Sequence, residues 1–447
     1  MSKRILSGMQ CIPLLLVIVF CVSCNEIEKI ELNKTSIDQI DEEYLSQLPI
    51  NFELGKEHID EAVSNLSLIY REEYGKKQIE YIRPINSKEE TILWLVQFKV
   101  NGGWMLFSNH INASPVIAHN NKGYFTNGEI ISFDDLLSNP RPAQLLTIVK
   151  KDFENLKNGQ INDFRRAKSS HAKWSVLIED VPKLKDREYV DNIIQSSDPI
   201  ARTAAYEHLN MAWVHQLPPF NQHMPVNGTE NCFVGGNNVV LGQIFKYYGI
   251  PVNMGWDYQA MPEKSGVTES YTVEEASEWA RMFADIALTN QPERICAAEE
   301  HWSRKLWSWG FLSKDYEYLT SIPEYENAKY DSASSEIPGD WDIEKVYLHA
   351  GVLKEPVIIE SWYYDEYNQC NCWSKHTWII DGCERTKVGN DFNYEVHCLW
   401  GWNWLPNKYC SSYINYNGWW NYDYMLGWDQ RIGLITDLKP KKSKLKK

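Results

Sequence analysis

The stretch "NCFVGGNNVVLGQIFKYYGIP", from Asn231 to Pro251, decides the fold of this chain. Its second half, from Val239 to Tyr248, is a mostly apolar run of the length expected for a buried helix. Two glycines and two asparagines come directly before this run, and asparagine favours helix caps over helix interiors. The stretch therefore predicts a buried helix that begins near Asn238, and it places Cys232 just before the turn into that helix.

The composition is that of a globular protein. The chain has 447 residues, of which 43% are hydrophobic and 23% are charged, so it is long enough for two or three domains with separate cores. Its formal net charge of −15 argues against nucleic acid as the main partner, because a broad basic surface would be needed to balance the phosphates.

The N-terminus has the pattern of an export signal. Lys3 and Arg4 precede an apolar run from Ile12 to Val22, which is too short to span a bilayer, and "VSC" then ends at Cys24. The tripeptide resembles the bacterial lipobox, in which the cysteine after the cleavage site is lipidated. We therefore expect an exported lipoprotein, anchored through Cys24 to the membrane at the bacterial cell envelope or surface. The alternative is an ordinary cysteine beside a conventional cleavage site.

The termini of the exported chain are polar. Residues 1–24 are predicted to be the lipoprotein signal peptide and 25–46 an acidic tether. Residues 439–447 form a basic tail, read as solvated or in contact with an anionic surface.

Ten cysteines are present, and seven of them lie after Cys24: Cys232, Cys296, Cys370, Cys372, Cys383, Cys398 and Cys410. Disulfides are plausible in an oxidising compartment, and the odd number leaves at least one thiol free or paired between chains. The spacing matches no paired C-x-x-C zinc pattern, so no metal site is predicted, and no cofactor is predicted either.

Two folded units are predicted after the tether. The first, 47–184, is a smaller α+β unit: "NGG" separates two apolar runs as in a β-hairpin, and helix-spaced apolar residues follow from Gln144. The polar segment from Lys157 to Lys173 is interpreted as a linker. The second unit, 185–438, opens with helical segments, including Asp198 to Gln216, and ends in strands, which is also an α+β plan.

Thiol proteases supply one interpretation of the second unit. They need a thiolate, commonly at a helix N-terminus where the helix dipole lowers the thiol pKa, and an imidazole within hydrogen-bond reach. Cys232 lies before the predicted helix, and His376 lies directly before the apolar strand "TWIIDG". A purely structural histidine beside an aromatic strand remains the alternative for His376.

A series of motifs, in order along the chain, resembles the streptopain-type cysteine peptidases, which share the papain-like fold. The motifs are "NGGWMLFSNHINASPVIAHNNKGYF" (101–125), "WVHQLPPFNQHMP" (213–225), "GQIFKYYGIP" (242–251), "KHTWIIDGC" (375–383), "VHCLWGWNW" (396–404) and "NGWWNYDYM" (417–425). The resemblance covers nearly all of the exported chain. It implies an inhibitory pro-domain over 47–184, followed by a papain-like peptidase domain with helices first and an antiparallel sheet after them.

The resemblance also implies the positions of the catalytic residues. His376 falls on the general-base position, and Trp400 and Trp402 fall on the family's Trp-Gly-Trp. The family's nucleophile lies seven residues before the glutamine of its "AQIMKYY" motif. Counted back from Gln243, that position is Gly236, so the aligned thiol is absent.

A second position also departs from the papain-like pattern. Leu399 stands where an asparagine orients the imidazole in papain-like enzymes, and a leucine side chain cannot accept a hydrogen bond. Loss of nucleophile and orienting residue, with the fold motifs kept, predicts a pseudoenzyme.

Three functions remain open. The first is a pseudoenzyme whose cleft binds a polypeptide or a protease partner, or whose pro-domain inhibits related proteases. The second is an active thiol endopeptidase that uses Cys232 and His376. The third is a glycan- or protein-binding surface lipoprotein, for which the C-terminal tryptophans would stack on sugars if they are exposed, although burial in the core is the usual role of such residues.

Overall fold

The computed structural model describes most of the chain between residues 52 and 441. The described ranges are 54–70, 76–126, 143–160, 164–182, 207–264, 271–290, 311–332, 343–365, 372–388, 391–401, 417–422 and 430–441, together with positions 52, 74, 132 and 133. The residues Ile50–Lys447 form one compact body. The predicted lipidation site Cys24, the tether, and Trp402 lie outside the described residues.

The described helices lie at both ends of the first unit and, in the second unit, before residue 354. The α-helices are α1 (Lys56–Asn65), α2 (Ala143–Lys157), α3 (Phe164–Leu177), α4 (Gly236–Tyr248), α5 (Val273–Asn290), α6 (Phe311–Ser321) and α7 (Ile343–Val346). A π-helical segment over Tyr347–Leu353 continues α7. Short 3-10 turns cover Leu66–Leu68, Val252–Met254, Tyr258–Ala260 and Pro323–Tyr325.

The strands form one large antiparallel sheet and one small hairpin. They are β1 (Ile79–Ser87), β2 (Glu90–Phe98), β3 (Trp104–Ser108), β4 (Val116–Asn120), β5 (Val226–Asn227), β6 (Glu230–Asn231), β7 (Lys329–Ser332), β8 (Val357–Asp365), β9 (Cys372–Val388), β10 (Asp391–Leu399), β11 (Gly418–Asn421) and β12 (Gln430–Thr436). Within the described ranges, the large sheet has ten strands in the order β1-β2-β3-β4-β11-β10-β9-β8-β12-β7, and β5 pairs with β6. The protein is thus an α+β fold.

The large sheet is continuous between the two predicted units. Strand β4 of the first unit pairs antiparallel with β11 of the second, with His119 opposite Trp419 and Ala118 opposite Trp420. Side chains reinforce this junction, since the Asn421 amide donates to the Ser114 hydroxyl at 3.0 Å. The first unit is therefore an extension of the sheet that carries His376.

Helix α4 lies in the core of the second unit. Its buried residues share one cluster with Ile358, Ile379 and Leu399, which lie on three neighbouring strands of the sheet. On its other side the helix packs closely on α5. A Cβ atom added at Gly242 would lie 2.4 Å from the Phe283 ring, so only glycine allows this approach.

Several sequence predictions match the structure. The apolar run before "NGG" is β2 and the one after it is β3, and they pair as a hairpin. Helix α2 begins at Ala143, one residue before the predicted start, and α5 covers the predicted helix after Val273. The predicted late strands are β8, β9 and β10.

Two predicted segments are wrong. Most of the segment from Lys157 to Lys173 is helical, not a linker, because α3 begins at Phe164. Its charges obscured a stripe of buried residues at helical spacing, Ala167, His171 and Trp174. The Trp174 indole also donates to the Ala113 carbonyl at 3.0 Å, which fixes the helix to the first unit.

The second wrong segment is the predicted helix from Asp198 to Gln216. Its described part, residues 207–216, has no helix and no other regular secondary structure. Its backbone bonds go to other segments: Leu209 N–H donates to the Asp381 carbonyl at 3.0 Å and Trp213 N–H to the Lys264 carbonyl at 3.2 Å. These tertiary bonds replace those of a helix.

Three of the C-terminal tryptophans are core residues. Trp400, Trp419 and Trp420 are all at most 1% exposed, so they do not offer stacking faces to a sugar in this structure. Among the described residues, no helix is both long enough and apolar enough to cross a membrane.

Candidate active site

His376 is buried on β9 and held by the chain that follows β10. Its Nε2 lies 2.9 Å from the Trp400 carbonyl oxygen. A carbonyl can only accept, so Nε2 carries the proton and, in the neutral ring, Nδ1 has the lone pair. The ring also stacks on Trp378 and Trp400, at centroid distances of 5.8 and 5.9 Å. Both the orientation and the tautomer of His376 are therefore fixed.

Gly236 faces the Nδ1 edge of this ring. A Cβ atom added at Gly236 would lie 3.8 Å from both Nδ1 and Cε1 of His376, and 3.7 Å from the Thr377 carbonyl oxygen. These are ordinary van der Waals distances, and Gly236 is not among the positions with positive φ. A side chain fits at this position, and its first atom would lie beside the imidazole.

The local chain makes Gly236 the first residue of α4. Gly235 caps the helix with φ of +87°, a conformation that L side chains rarely adopt. Asn238 donates its side-chain amide to the Val234 carbonyl at 2.7 Å, which fastens the turn. The helix thus begins two residues before the predicted start at Asn238, because Asn238 bonds backwards to the turn instead of capping the helix.

The N-terminus of α4 offers backbone N–H groups and the positive end of the helix dipole near Gly236. On the flank of this helix, the Asn237 side chain donates to Asp315, a carboxylate that is 1% exposed. The site therefore combines an imidazole acceptor with helix donors, and lacks a nucleophilic side chain at Gly236.

Gln216 is bonded through its main chain to the turn before Gly236, and the sequence reasoning did not single it out. It is 3% exposed, and its side-chain nitrogen has no hydrogen-bond partner among the described residues. Its backbone carbonyl accepts from Val234 N–H at 3.2 Å, which ties it to the turn before Gly236. An unpaired buried amide donor is costly, so it is a feature that requires an explanation. The glutamine of "WVHQLPPFNQHMP" was the available signal.

Cys232 is not available as the substitute thiol in this structure. It is completely buried and disulfide-bonded. Its backbone is held as well, because Cys232 N–H donates to the Pro225 carbonyl at 2.9 Å and its carbonyl accepts from the Asn221 amide at 3.3 Å. A sulfur in a disulfide cannot act as a thiolate nucleophile.

Leu399 is a core residue. It is 1% exposed, lies opposite Ile379 on β9, and belongs to the core under α4. That Leu399 leaves the orienting position vacant stays a prediction, and the group that His376 Nε2 contacts in this structure is the main-chain carbonyl of Trp400. Trp400 is itself held by Asn417, whose side-chain oxygen accepts from Trp400 N–H at 2.9 Å.

Acid should destabilise the fold through His215, the neighbour of Gln216. Burial lowers the pKa of His215 to about 3, and its Nδ1 accepts from Leu217 N–H at 3.3 Å. The unfolded chain binds a proton at this residue below its ordinary pKa of about 6.5, whereas the folded chain does not. The free energy of unfolding should therefore fall as the pH drops from about 6.5 towards 3.

The measurement is the urea midpoint at several pH values between 7 and 4. His215→Gln should flatten the decline, and His223→Gln, at an exposed position, controls for the loss of an imidazole. An unchanged pH slope in His215→Gln would assign the acid sensitivity to other groups.

Comparisons with known proteins concern the overall fold. No protein-family model matches this chain, and no curated protein matches it. A Cys-to-Ala mutant fragment of Prevotella intermedia prointerpain A is similar, with a TM-score of 0.46 and 12% identity, over 80% of this chain and 98% of that chain. Active wild-type Prevotella intermedia interpain A cysteine protease is similar with a TM-score of 0.37 and 14% identity, over 52% of this chain and 93% of that chain.

Proposed function

We propose that this protein is an exported streptopain-like peptidase homologue that binds polypeptide without cutting it. The observation that carries the proposal is the pairing of His376 and Gly236: the space for a side chain lies 3.8 Å from Nδ1, and the residue there has no side chain. Acyl transfer needs a nucleophile beside the base. With Cys232 in a disulfide, none of the described cysteines supplies a thiol at this position.

The binding partner in this proposal is an extended polypeptide, which includes an exposed segment of another protease. The first turn of α4 and the side-chain amide of Gln216 are donors, and peptide carbonyl groups are the acceptors that such donors fit. The base, the helix donors and the amide bind a main chain without reacting with it. Export and lipid attachment at Cys24 belong to the same proposal, and incorporation of a lipid label that Cys24→Ser abolishes would test them.

The test is binding and cleavage of a fluorescein-labelled unfolded protein by the full wild-type chain. We expect an increase in fluorescence anisotropy on binding, and intact label by gel and mass spectrometry after long incubation. Gly236→Phe fills the space beside His376 and should weaken binding at least about tenfold, the effect of losing about 1.4 kcal/mol. Gly236→Ala is the matched control, because its Cβ meets only ordinary contacts.

Two outcomes would contradict this proposal. Cleavage that thiol reagents inhibit would restore the endopeptidase hypothesis, in which Cys232 and His376 act. Equal binding by wild type and Gly236→Phe would place any polypeptide contact elsewhere on the molecule.

A further inference from the structure

Three side chains that can ligate a metal converge at one point of the central sheet: His208, Asp381 and His397. One potential ligand atom from each lies within 4.8 Å of the other two. Asp381 is completely buried and His397 is 1% exposed, whereas the His208 side chain is 16% exposed. The group does not include His376 or any other residue of the candidate active site.

The chain is arranged to bring His208 onto the sheet. Asp381 lies on β9, and His397 lies on β10 opposite Gly382. Leu209 N–H donates to the Asp381 carbonyl, which holds this segment against β9. A Cβ atom added at Gly382 would lie 3.0 Å from the His208 Cβ, so glycine at this position is what lets His208 approach.

The Asp381 carboxylate is a buried anion with incomplete pairing. Its Oδ1 lies 2.5 Å from His397 Nδ1, but its Oδ2 has no hydrogen-bond partner among the described residues. His208 Nδ1 lies 3.4 Å from this Oδ2. That nitrogen accepts from Asn210 N–H at 3.2 Å, so in the neutral ring it directs a lone pair and not a proton. Two hydrogen-bond acceptors thus lie side by side in a buried place. A cation bound between them would offset the unfavourable free energy of this arrangement.

The donor set selects the class of cation. Two imidazole nitrogens and one carboxylate oxygen suit zinc and similar transition metals, whereas calcium and magnesium prefer oxygen ligands only.

We propose that His208, Asp381 and His397 bind a zinc-class divalent ion that fastens the chain before Gln216 to the central strands. The His208 and His397 rings stack at 4.0 Å with an angle of 10° between their planes. Binding therefore requires the partly exposed His208 ring to turn about its side-chain bonds. The proposal does not depend on the polypeptide-binding function.

A second group in the described residues, His349, Glu355 and Asp437, serves as an internal comparison. There a lysine accompanies each carboxylate: Lys439 lies 3.9 Å from Glu355, and Lys329 lies 2.9 Å from Asp437. Because these lysines supply the positive charge, we expect no zinc at that group.

The experiment measures zinc bound to the untagged full chain after treatment with a chelator and dialysis against a small excess of Zn²⁺. We expect wild type and His349→Gln to retain one zinc per chain by elemental mass spectrometry. His208→Gln, at the partly exposed ligand, should bind zinc at least about tenfold more weakly. Co²⁺ should give tetrahedral visible absorption bands in wild type and not in His208→Gln.

Thermal unfolding separates a loss of zinc binding from a folding defect of the variant. Zn²⁺ should raise the Tm of wild type and of His349→Gln, because an ion that binds only the folded state stabilises that state. The Tm of His208→Gln measured with chelator shows that this variant is folded. A wild-type chain that retains no zinc, or a His208→Gln variant that retains as much as wild type, would overturn the proposal. The three residues would then form a proton-sharing cluster.

Discussion

Gly236→Cys should react with a peptide-like, thiol-directed covalent probe, whereas the wild-type chain should remain unlabelled. The new sulfur would be attached to a Cβ atom 3.8 Å from His376 Nδ1, at the first residue of α4. The imidazole accepts the thiol proton, and the helix dipole stabilises the thiolate. Assistance by a positioned base is worth about 10²–10⁴ in rate, so the labelling rate should exceed that of an ordinary cysteine by at least about a hundredfold.

The measurement is the second-order labelling rate as a function of pH, with the labelled residue identified by mass spectrometry. Cys383 and Cys398 are free but buried, and burial raises the pKa of both thiols, so they contribute little background. Gly236→Cys combined with His376→Ala is the matched control and should lose most of the rate. A folded Gly236→Cys protein that reacts no faster than this control would mean that the site has lost more than its nucleophile.

Cys232→Ala should destabilise the protein strongly and leave the reactivity of Gly236→Cys unchanged. It removes a disulfide from a completely buried position, and loss of a native disulfide typically costs about 2–5 kcal/mol of unfolding free energy. Since Cys232 lies outside the pairing of Gly236 with His376, the labelling rate at Gly236→Cys should stay within about twofold in the folded double variant.

Urea unfolding with and without a reductant measures this effect. Wild type should lose stability in reductant, whereas Cys232→Ala should show no such dependence. Cys383→Ala is the control, because it also removes a buried cysteine but one that is free, so its dependence on reductant should match that of wild type. Equal stability of Cys232→Ala and wild type under oxidising conditions would argue against a structural role for the disulfide.

The sequence predicted the elements whose pattern is local. The apolar run after Asn238 is α4, and "NGG" separates two paired strands. The alignment that placed Gly236 at the nucleophile position depended on the "GQIFKYYGIP" motif. A Cβ atom added at Gly236 does lie beside His376. The assignment of catalytic roles to these residues stays a prediction until the variants are made.

The features that the sequence could not predict depend on main-chain groups and on distant contacts. The group that orients His376 is the carbonyl of Trp400, and every residue type has a carbonyl. The segment before Gln216 has helix-like composition, but its described part is not helical, because its N–H groups bond to strand β9 and to Lys264. The redox state of Cys232 depends on which sulfur lies near it in space, and spacing along the chain does not give that.

The junction of β4 with β11 has a consequence for any protease that cuts this chain. Cleavage between residues 182 and 207 would break the covalent connection, but the two fragments would still share a hydrogen-bonded sheet, with His119 opposite Trp419 and the Asn120 amide on the Asn417 carbonyl. Dissociation of the two fragments would expose a strand edge of the sheet that is lined by buried tryptophans. Such exposed strand edges promote aggregation, so dissociation is unfavourable. A nicked molecule should therefore run as two bands in denaturing gels and as one particle in solution.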